Sequence, residues 1–191
     1  MSEKPAFTVY DTTLRDGTQD EGFECLTLMQ TGKAKITPLI LLDTAEGRSW
    51  ETWEFFIKND LLRMKLISQS DFHLFKIMHS CEEAIEHIQH FYKVFDSYRW
   101  VREKMVIRVK HRLTAASLAH LNEKFRDTLV SGTIEQTGVL PEEAEQQPWS
   151  VGAMFRGQKD DLTRIVLTPK KTDFGTLRLL IDTINDSQTE A

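Results

Sequence analysis

Apolar residues in the first half of the chain switch between helical and strand spacing. Apolar side chains at every third or fourth position predict a helix over Thr18–Thr31, with Gly32 just past its end as a stop. The run Leu39–Leu42 is apolar at every position, which is typical of a strand buried in a parallel sheet. The same patterns predict strands over Phe7–Tyr10 and His73–Met78, and helices over Trp50–Ile67 and Ser80–Phe95.

This order of strands and helices predicts an α/β fold with right-handed crossovers. It supplies about three strands of a partial Rossmann-like parallel sheet, whereas doubly wound domains usually have five or six. The first half of the chain is therefore expected to be an incomplete version of such a domain.

Beyond Tyr98 the pattern changes. We predict Thr114 as the N-cap of a helix ending at Leu129, and an acidic, proline-bounded loop over Leu140–Ser150. Further strands are predicted over Met105–Val109, Thr133–Val139 and Arg164–Thr168, with a last helix over Phe174–Ile184. This order favours a small α+β module with an antiparallel sheet, so we expect two domains, residues 1–97 and 98–191.

The charge balance narrows the range of partners. The 191 residues carry a formal net charge of -5, which argues against nucleic acid because that affinity depends largely on Lys and Arg. A single nucleotide needs only one local anion site. The sequence shows no basic-then-apolar leader, no apolar run near the roughly 20 residues of a membrane span, and no cysteine spacing typical of a disulfide framework. We therefore expect a cytoplasmic protein without a membrane or nucleic-acid partner.

The candidate chemistry lies between the first predicted strand and the first predicted helix. Gly17 and Thr18 would place backbone N–H groups and the positive end of a helix at the carboxyl edge of the sheet, where anions bind in open α/β folds. Glu21 follows one turn later. A carboxylate near a ribose can stabilise the oxocarbenium-like state of N-glycosidic hydrolysis, or position the attacking water. Thr18 and Glu21 also have the spacing of a capping box, so a structural role stays open.

The run GTQDEGFECLTLMQTGK resembles the LOG-type (lonely-guy) nucleoside 5′-monophosphate phosphoribohydrolases. Gly17, Thr18 and Glu21 match the second half of that family's P-G-G-x-G-T-x-x-E pattern, and the likeness continues through LILL, ISQSDFHLFKIM and EEAIEHIQHFY to the tail at DFGTLRLLIDTIND. The resemblance implies that Glu21 is catalytic and that Gly17 and Thr18 hold the 5′-phosphate. It further implies a nucleoside 5′-monophosphate substrate, no cofactor, no metal, and a homodimer or higher oligomer.

The sequence departs from that family's pattern upstream of Gly17. Thr13-Leu14-Arg15-Asp16 stands in place of the proline and two glycines, and the residues before it show no counterpart of the family's glycine-rich half with its arginine. The expectation is a LOG-type hydrolase fragment, inactive if that half is required. A non-catalytic, oligomerising α/β module is an alternative.

Residues 7–22 also resemble the start of the isopropylmalate, citramalate and homocitrate synthases, through D-T-T-L-R-D-G-x-Q. That resemblance implies that Arg15 polarises a keto acid and that Asp16 ligates a divalent metal. Those enzymes are TIM barrels of about 250 residues, and they use a His-x-His pair that the six histidines of this chain do not form. A metal-dependent acyltransferase is therefore the other alternative.

For two further groups of residues we predict structural rather than functional roles. His87 and His90 have a spacing that permits a metal site, but without an obvious third ligand we predict surface histidines. Trp50, Trp53 and Phe56 are predicted to belong to the core or to a subunit interface.

Overall fold

The computed structural model describes residues 19–145 and 161–190. The first part contains α1 (Gln19–Gln30), β1 (Leu39–Leu42), α2 (Ser49–Phe56), β2 (Phe75–Met78) and α3 (Cys81–Phe91). Helix α2 continues as a π-helical segment over Ile57–Leu62, and a 3-10 helix over Gln69–His73 precedes β2. The predicted α1 and β1 are confirmed to within a residue. The helix predicted over residues 50–67 instead changes type at 57, and the one predicted over 80–95 ends at Phe91.

Strands β1 and β2 form a parallel pair, with Leu39 opposite Phe75 and Leu42 opposite Met78. The predicted α/β class is confirmed. Within the described ranges this sheet has two strands rather than about three, and the predicted strand over residues 7–10 lies outside them. Most side chains of the pair are half-buried, although parallel strands are usually covered on both faces.

Helix α1 ends at Gln30, and the predicted stop Gly32 follows two residues later. This residue has a φ of +71°, a left-handed conformation that glycine adopts without the steric cost of a Cβ. A Cβ at Gly32 would also lie 2.1 Å from Cζ of Phe174. The stop signal of α1 is therefore at the same time a close contact with the last helix of the chain.

An antiparallel sheet dominates the second part. Its strands are β3 (Phe95–Val101), β4 (Lys104–Val109), β5 (Leu129–Thr137) and β6 (Thr163–Pro169), in the spatial order β3-β4-β6-β5. The helices here are α4 (Ala115–Lys124), α5 (Pro141–Glu145) and α6 (Phe174–Asp186), with a 3-10 turn over Arg126–Thr128. The predicted antiparallel α+β arrangement is confirmed.

Several predicted boundaries in this part are wrong. Strand β3 was not predicted, and the helix predicted to reach Leu129 ends at Lys124, so that Leu129 begins β5. The loop predicted over residues 140–150 contains α5 within its described portion. The division into residues 1–97 and 98–191 stays a prediction, and its boundary falls inside β3.

The main core lies between one face of the antiparallel sheet and the helices. Met105, Ile107 and Val109 of β4 are fully buried and share one hydrophobic cluster with Leu180 and Ile184 of α6. The cluster also includes Ile36 and Phe91 from the first part of the chain. Among residues 19–145 and 161–190, no helix combines the length and apolar character needed to cross a bilayer.

Asn185 at the end of α6 closes the seam between α3 and β3. Its Oδ1 accepts hydrogen bonds from the backbone N–H groups of Val94 and Phe95, both at 2.9 Å, and its Nδ2 donates to the carbonyl oxygen of Phe91 at 2.6 Å. The residue is completely buried. Since buried backbone groups require partners, this one side chain satisfies the turn that converts helix α3 into strand β3.

Candidate functional site

The predicted site residues lie at the margin of the described chain. Arg15, Asp16, Gly17 and Thr18 fall outside the described residues. Glu21 is in the first turn of α1, whose first residue is Gln19; its side chain also falls outside what the structure describes.

The carboxyl edge of the parallel pair is described, and it is polar. Asp43 follows β1 directly and His79 follows β2. Asp43 Oδ2 accepts a hydrogen bond from the backbone N–H of Trp50 at 3.3 Å, and its Oδ1 accepts one from Thr44 at 3.0 Å. These bonds fix the turn from β1 into α2 and hold the Asp43 carboxylate at the edge where open α/β sheets bind ligands.

His79 lies across this edge from Asp43. Its Nδ1 is 3.3 Å from the carbonyl oxygen of Thr44, and its Nε2 is 3.7 Å from Oε1 of Glu51. About a third of the His79 side chain is exposed, as is nearly half of that of Glu51. An imidazole held between a carbonyl and a carboxylate, and open to solvent, can contact a ligand and transfer a proton.

The beginning of α3 completes the edge. Ser80 is its N-cap, and its Oγ accepts a hydrogen bond from the backbone N–H of Glu83 at 3.2 Å. Glu82 and Glu83 occupy the first turn, where carboxylates interact favourably with the positive helix end. Since these carboxylates already neutralise the positive helix end, a phosphate would be repelled there. The described edge is better suited to ribose hydroxyl groups or to a developing positive charge.

An apolar cavity of about 390 Å³ lies between α1, helix α2 with its π-helical continuation, and the start of β2. Trp53 and Phe75 form part of its wall, with their ring centroids 5.3 Å apart. Gln30 Nε2 donates a 2.6 Å hydrogen bond to Asp71 Oδ2 in the same lining. Trp53 is half-buried and Phe56 is half-exposed, so of the two predicted locations for this aromatic group the core is wrong for Phe56.

His87 is half-buried rather than on the surface as predicted. Its Nε2 is 3.1 Å from Nη2 of Arg178, which is completely buried on α6. Arg178 can only donate, so Nε2 of His87 is the acceptor and the imidazole is neutral. Burial, reinforced by the Arg178 charge, lowers the pKa of His87 below its usual value. His90 is exposed, as predicted.

Arg178 joins the two parts of the chain. Its Nε donates to both carboxylate oxygens of Asp182, at 3.0 and 3.1 Å, and its Nη1 donates to the carbonyl oxygen of Thr37 at 3.3 Å. The guanidinium carbon also lies 4.6 Å from the centre of the Phe91 ring. The segment before β1 and the last helix are thus held by one paired arginine.

The sequence analysis did not single out Asp43, His79 or Arg178. A signal existed for the first two, because each is the polar residue that directly follows an apolar strand run. No local signal existed for Arg178, whose partners are far away in sequence. Within the described ranges, no three His, Cys, Asp or Glu residues are grouped so that they could hold a metal ion.

One comparison with known proteins finds a family model that matches part of the chain. The family model described as "Possible lysine decarboxylase", which represents the LOG family, matches residues 16–88. The match begins just before Gly17 and spans α1, β1, α2, β2 and most of α3, so it contains the whole carboxyl edge. No curated protein and no solved structure matches the chain. The resemblance of residues 7–22 to the synthases has no support from these comparisons.

Proposed function

We propose, from the premise that residues 16–88 belong to the LOG-type family, that this chain binds a nucleoside 5′-monophosphate and hydrolyses its N-glycosidic bond. The observation that carries the proposal is the family match itself, which includes both Glu21 and the polar carboxyl edge. The predicted cytoplasmic location is part of the same proposal.

In the proposed reaction the C1′–N bond breaks, water adds at C1′, and the products are the free base and ribose 5-phosphate. Gly17 and Thr18 would hold the 5′-phosphate through backbone N–H groups at the positive end of α1. The Glu21 carboxylate would stabilise the oxocarbenium-like state and orient the water. This assignment places one carboxylate at the carbon where positive charge develops.

The described carboxyl edge of the parallel pair supports these separate positions for the phosphate and the ribose. Asp43 and Glu51 offer carboxylate oxygens that can accept hydrogen bonds from ribose hydroxyls, and His79 lies between them and α3. The acidic first turn of α3 disfavours a second phosphate position there. The phosphate is therefore assigned to the start of α1 and the sugar to the edge formed by Asp43 and His79.

The test is release of free base from a panel of common nucleoside 5′-monophosphates, with the full chain and with Glu21→Gln. We expect turnover by the chain and a loss of about 100-fold or more in Glu21→Gln, as is usual for a group taking part in proton transfer or charge stabilisation. Glu123→Gln is the matched control, because Glu123 is exposed on α4, outside residues 16–88.

Binding is measured in parallel by calorimetry with AMP and with adenosine. AMP binding without turnover would overturn the hydrolase assignment and leave a nucleotide-binding module. Equal affinity for AMP and adenosine would overturn the phosphate site at Gly17 and Thr18. Release of carbon dioxide from lysine, run as a further arm, is expected to be absent.

The apolar surface of the first part favours a homo-oligomer, which we propose as the assembly. Phe55 of α2 is 70% exposed, and Met64 and Leu66, just after its π-helical continuation, are 60 and 63% exposed. Several exposed large apolar side chains within one short segment favour an interface. Light scattering is expected to show a dimer or larger species that Phe55→Glu weakens. Val130→Glu, at an equally exposed apolar residue of β5, is the control. A monomer at all concentrations contradicts this assembly.

A further inference from the structure

Three arginines lie on the outer face of the antiparallel sheet, away from the main core. Arg99 is on β3, Arg108 on β4 and Arg164 on β6. Arg108 and Arg164 are direct partners in the strand register, and like charges directly opposite each other destabilise a sheet. Such an arrangement therefore requires an anion between the side chains.

Glu143 of α5 supplies that negative charge. Its Oε2 lies 2.6 Å from Nη2 of Arg99 and 3.5 Å from Nη2 of Arg108, while its Oε1 lies 3.1 Å from Nε of Arg164. Oε1 also accepts a hydrogen bond from the backbone N–H of Leu140 at 3.3 Å. Glu143 is only 4% exposed, so one carboxylate is drawn into the centre of three guanidinium groups.

The carboxylate does not satisfy these groups fully. The Nε atoms of Arg99 and Arg108 are buried and have no hydrogen-bond partner, although buried donors are nearly always paired. Ser97 Oγ accepts one further hydrogen bond from Arg108 at 3.3 Å, and it donates to Asp96. Arg164 Nη1 also donates to the carbonyl oxygen of Leu162. Arg99 and Arg108, in contrast, share one carboxylate oxygen, Oε2 of Glu143, and their fork geometry can serve more acceptors than this oxygen offers.

We propose that Arg99, Arg108 and Arg164 form a binding site for the phosphate group of a small molecule, and that Glu143 occupies this site as an internal substitute. A phosphate dianion carries more charge than a carboxylate and has more oxygens, so it can also accept from the two unpaired Nε–H groups. Arg99 and Arg108 keep 29 and 20% of their side chains exposed, which gives a ligand access. The site lies outside residues 16–88 and is separate from the nucleotide site proposed above.

The helix that carries Glu143 is suited to exchange with a ligand. Helix α5 spans only Pro141–Glu145, and short helices have little stability of their own. Leu140 beside it packs on a small cluster formed by Val101, Val106 and Val166, separate from the main core. Displacing Glu143 therefore leaves the core on the other face of the sheet in place.

A nitrogen-15 NMR titration of the full chain with inorganic phosphate tests the proposal directly, with the side-chain Nε–Hε signals of Arg99 and Arg108 as the readout. We expect both signals to shift saturably with phosphate and not with chloride at equal ionic strength. An equal response to chloride shows general screening and overturns the site. An equal response to acetate overturns the assignment to phosphate.

Two substitutions sharpen the test. Glu143→Gln removes the competing charge, so phosphate is expected to bind about tenfold more tightly, whereas Arg108→Gln should weaken binding by about tenfold or more. Arg112→Gln, at an arginine with half of its side chain exposed, is the matched control and should change nothing. If phosphate binds no more tightly to folded Glu143→Gln than to the wild type, Glu143 is not a substitute for the ligand. The wild-type titration decides the existence of the site even if this variant fails to fold.

Discussion

The two sheets of this protein differ in how completely their apolar side chains are buried. Leu39, Ile40 and Leu41 of the parallel pair are only half-buried, although they form an entirely apolar run. In the antiparallel sheet, Ile107 of β4 and Ile165 of β6 are completely buried beneath α6. The family match covers the first sheet and stops within α3. The family match and the greater part of the packed core are therefore located in different parts of the chain.

The last helix explains how two such different parts coexist. Helix α6 packs on the antiparallel sheet through Ile181 and Ile184, and it reaches the first part of the chain through Phe174, Gly175 and Arg178. Since these contacts with the first part are closely fitted, we expect them to be sensitive to small changes in side-chain size.

The largest difference is expected between Ile107→Ala and Ile40→Ala. Truncating a fully buried isoleucine removes its contacts and leaves a cavity, which costs about 2–5 kcal/mol. Ile40 is half-buried in β1, so the same truncation there should cost about 1 kcal/mol or less. Denaturant unfolding of both variants measures this difference. Equal losses would show that the parallel pair is as well packed as the antiparallel sheet.

The elements that the sequence predicts well are those with a strong local signal. The predicted N-cap Thr114 is confirmed, because its Oγ1 accepts a hydrogen bond from the N–H of Ser117 at 3.2 Å. The stop at Gly32 and the apolar run Leu39–Leu42 are confirmed for the same reason. Each depends on the conformational preference or polarity of a few consecutive residues, which tertiary contacts did not override.

Strand β3 was missed because its apolar residues imitate a helix. Phe91 and Phe95 continue the spacing of the α3 face, and both point into the same core. The chain leaves the helix between them, and an irregular register between Phe95 and Ser97 lets Phe95 and Tyr98 share the main core. Val101 is buried in the separate cluster on the other face. The three-residue spacing of buried positions thus comes from a bulge and from burial on both faces, which periodicity alone cannot separate from a helix.

The sites show the same limit. Helix α5 had a local signal, since Pro141 followed by Glu142 and Glu143 is a favourable helix start. The prediction of a loop was therefore wrong for Pro141–Glu145. The cluster of Arg99, Arg108 and Arg164 had none, because only the pairing of distant strands brings these side chains together. The roles of Gly17, Thr18 and Glu21 rest on the resemblance and stay predictions.

The second expected effect concerns the contact between α6 and the first part. A Cβ at Gly175 would lie 2.1 Å from the backbone oxygen of Ser70, so Gly175→Ala forces α6 and the 3-10 helix apart and should cost about 1–3 kcal/mol. Gly138→Ala is the matched control, because nothing lies within 4 Å of a Cβ there. Thermal unfolding of the two variants measures the effect. If both variants melt alike, the close approach at Gly175 contributes nothing to stability.

Matched helix caps give the third comparison. Ser80 Oγ caps α3 and Thr114 Oγ1 caps α4, each by accepting a 3.2 Å hydrogen bond, so Ser80→Ala and Thr114→Ala should each destabilise their helix by about 1 kcal/mol. Amide hydrogen exchange shows where that loss is felt. We expect Thr114→Ala to accelerate exchange in α4 and in β5, to which α4 is joined by the hydrogen bonds of Asn122 with Ile134, and Ser80→Ala to act mainly on α3 and β2. Identical exchange profiles would mean that both parts open as one cooperative unit.

The smallest effect is expected from the titration of His87, because water partly screens a half-buried group. Burial and the nearby Arg178 lower the pKa of His87 below 6.5 in the folded chain; Asp182 opposes this shift, and Lys76 and His90 add to it. The unfolded chain therefore binds more protons below about pH 6.5, so stability is full above that pH and falls as the pH decreases toward the folded pKa. In His87→Gln this part of the acid sensitivity should disappear below about pH 6.5, whereas His111→Gln, at an exposed histidine, should retain it. The measurement is the unfolding free energy of each variant as a function of pH. If the curve of His87→Gln runs parallel to that of the wild type, the contact of Arg178 with the first part does not depend on a neutral imidazole.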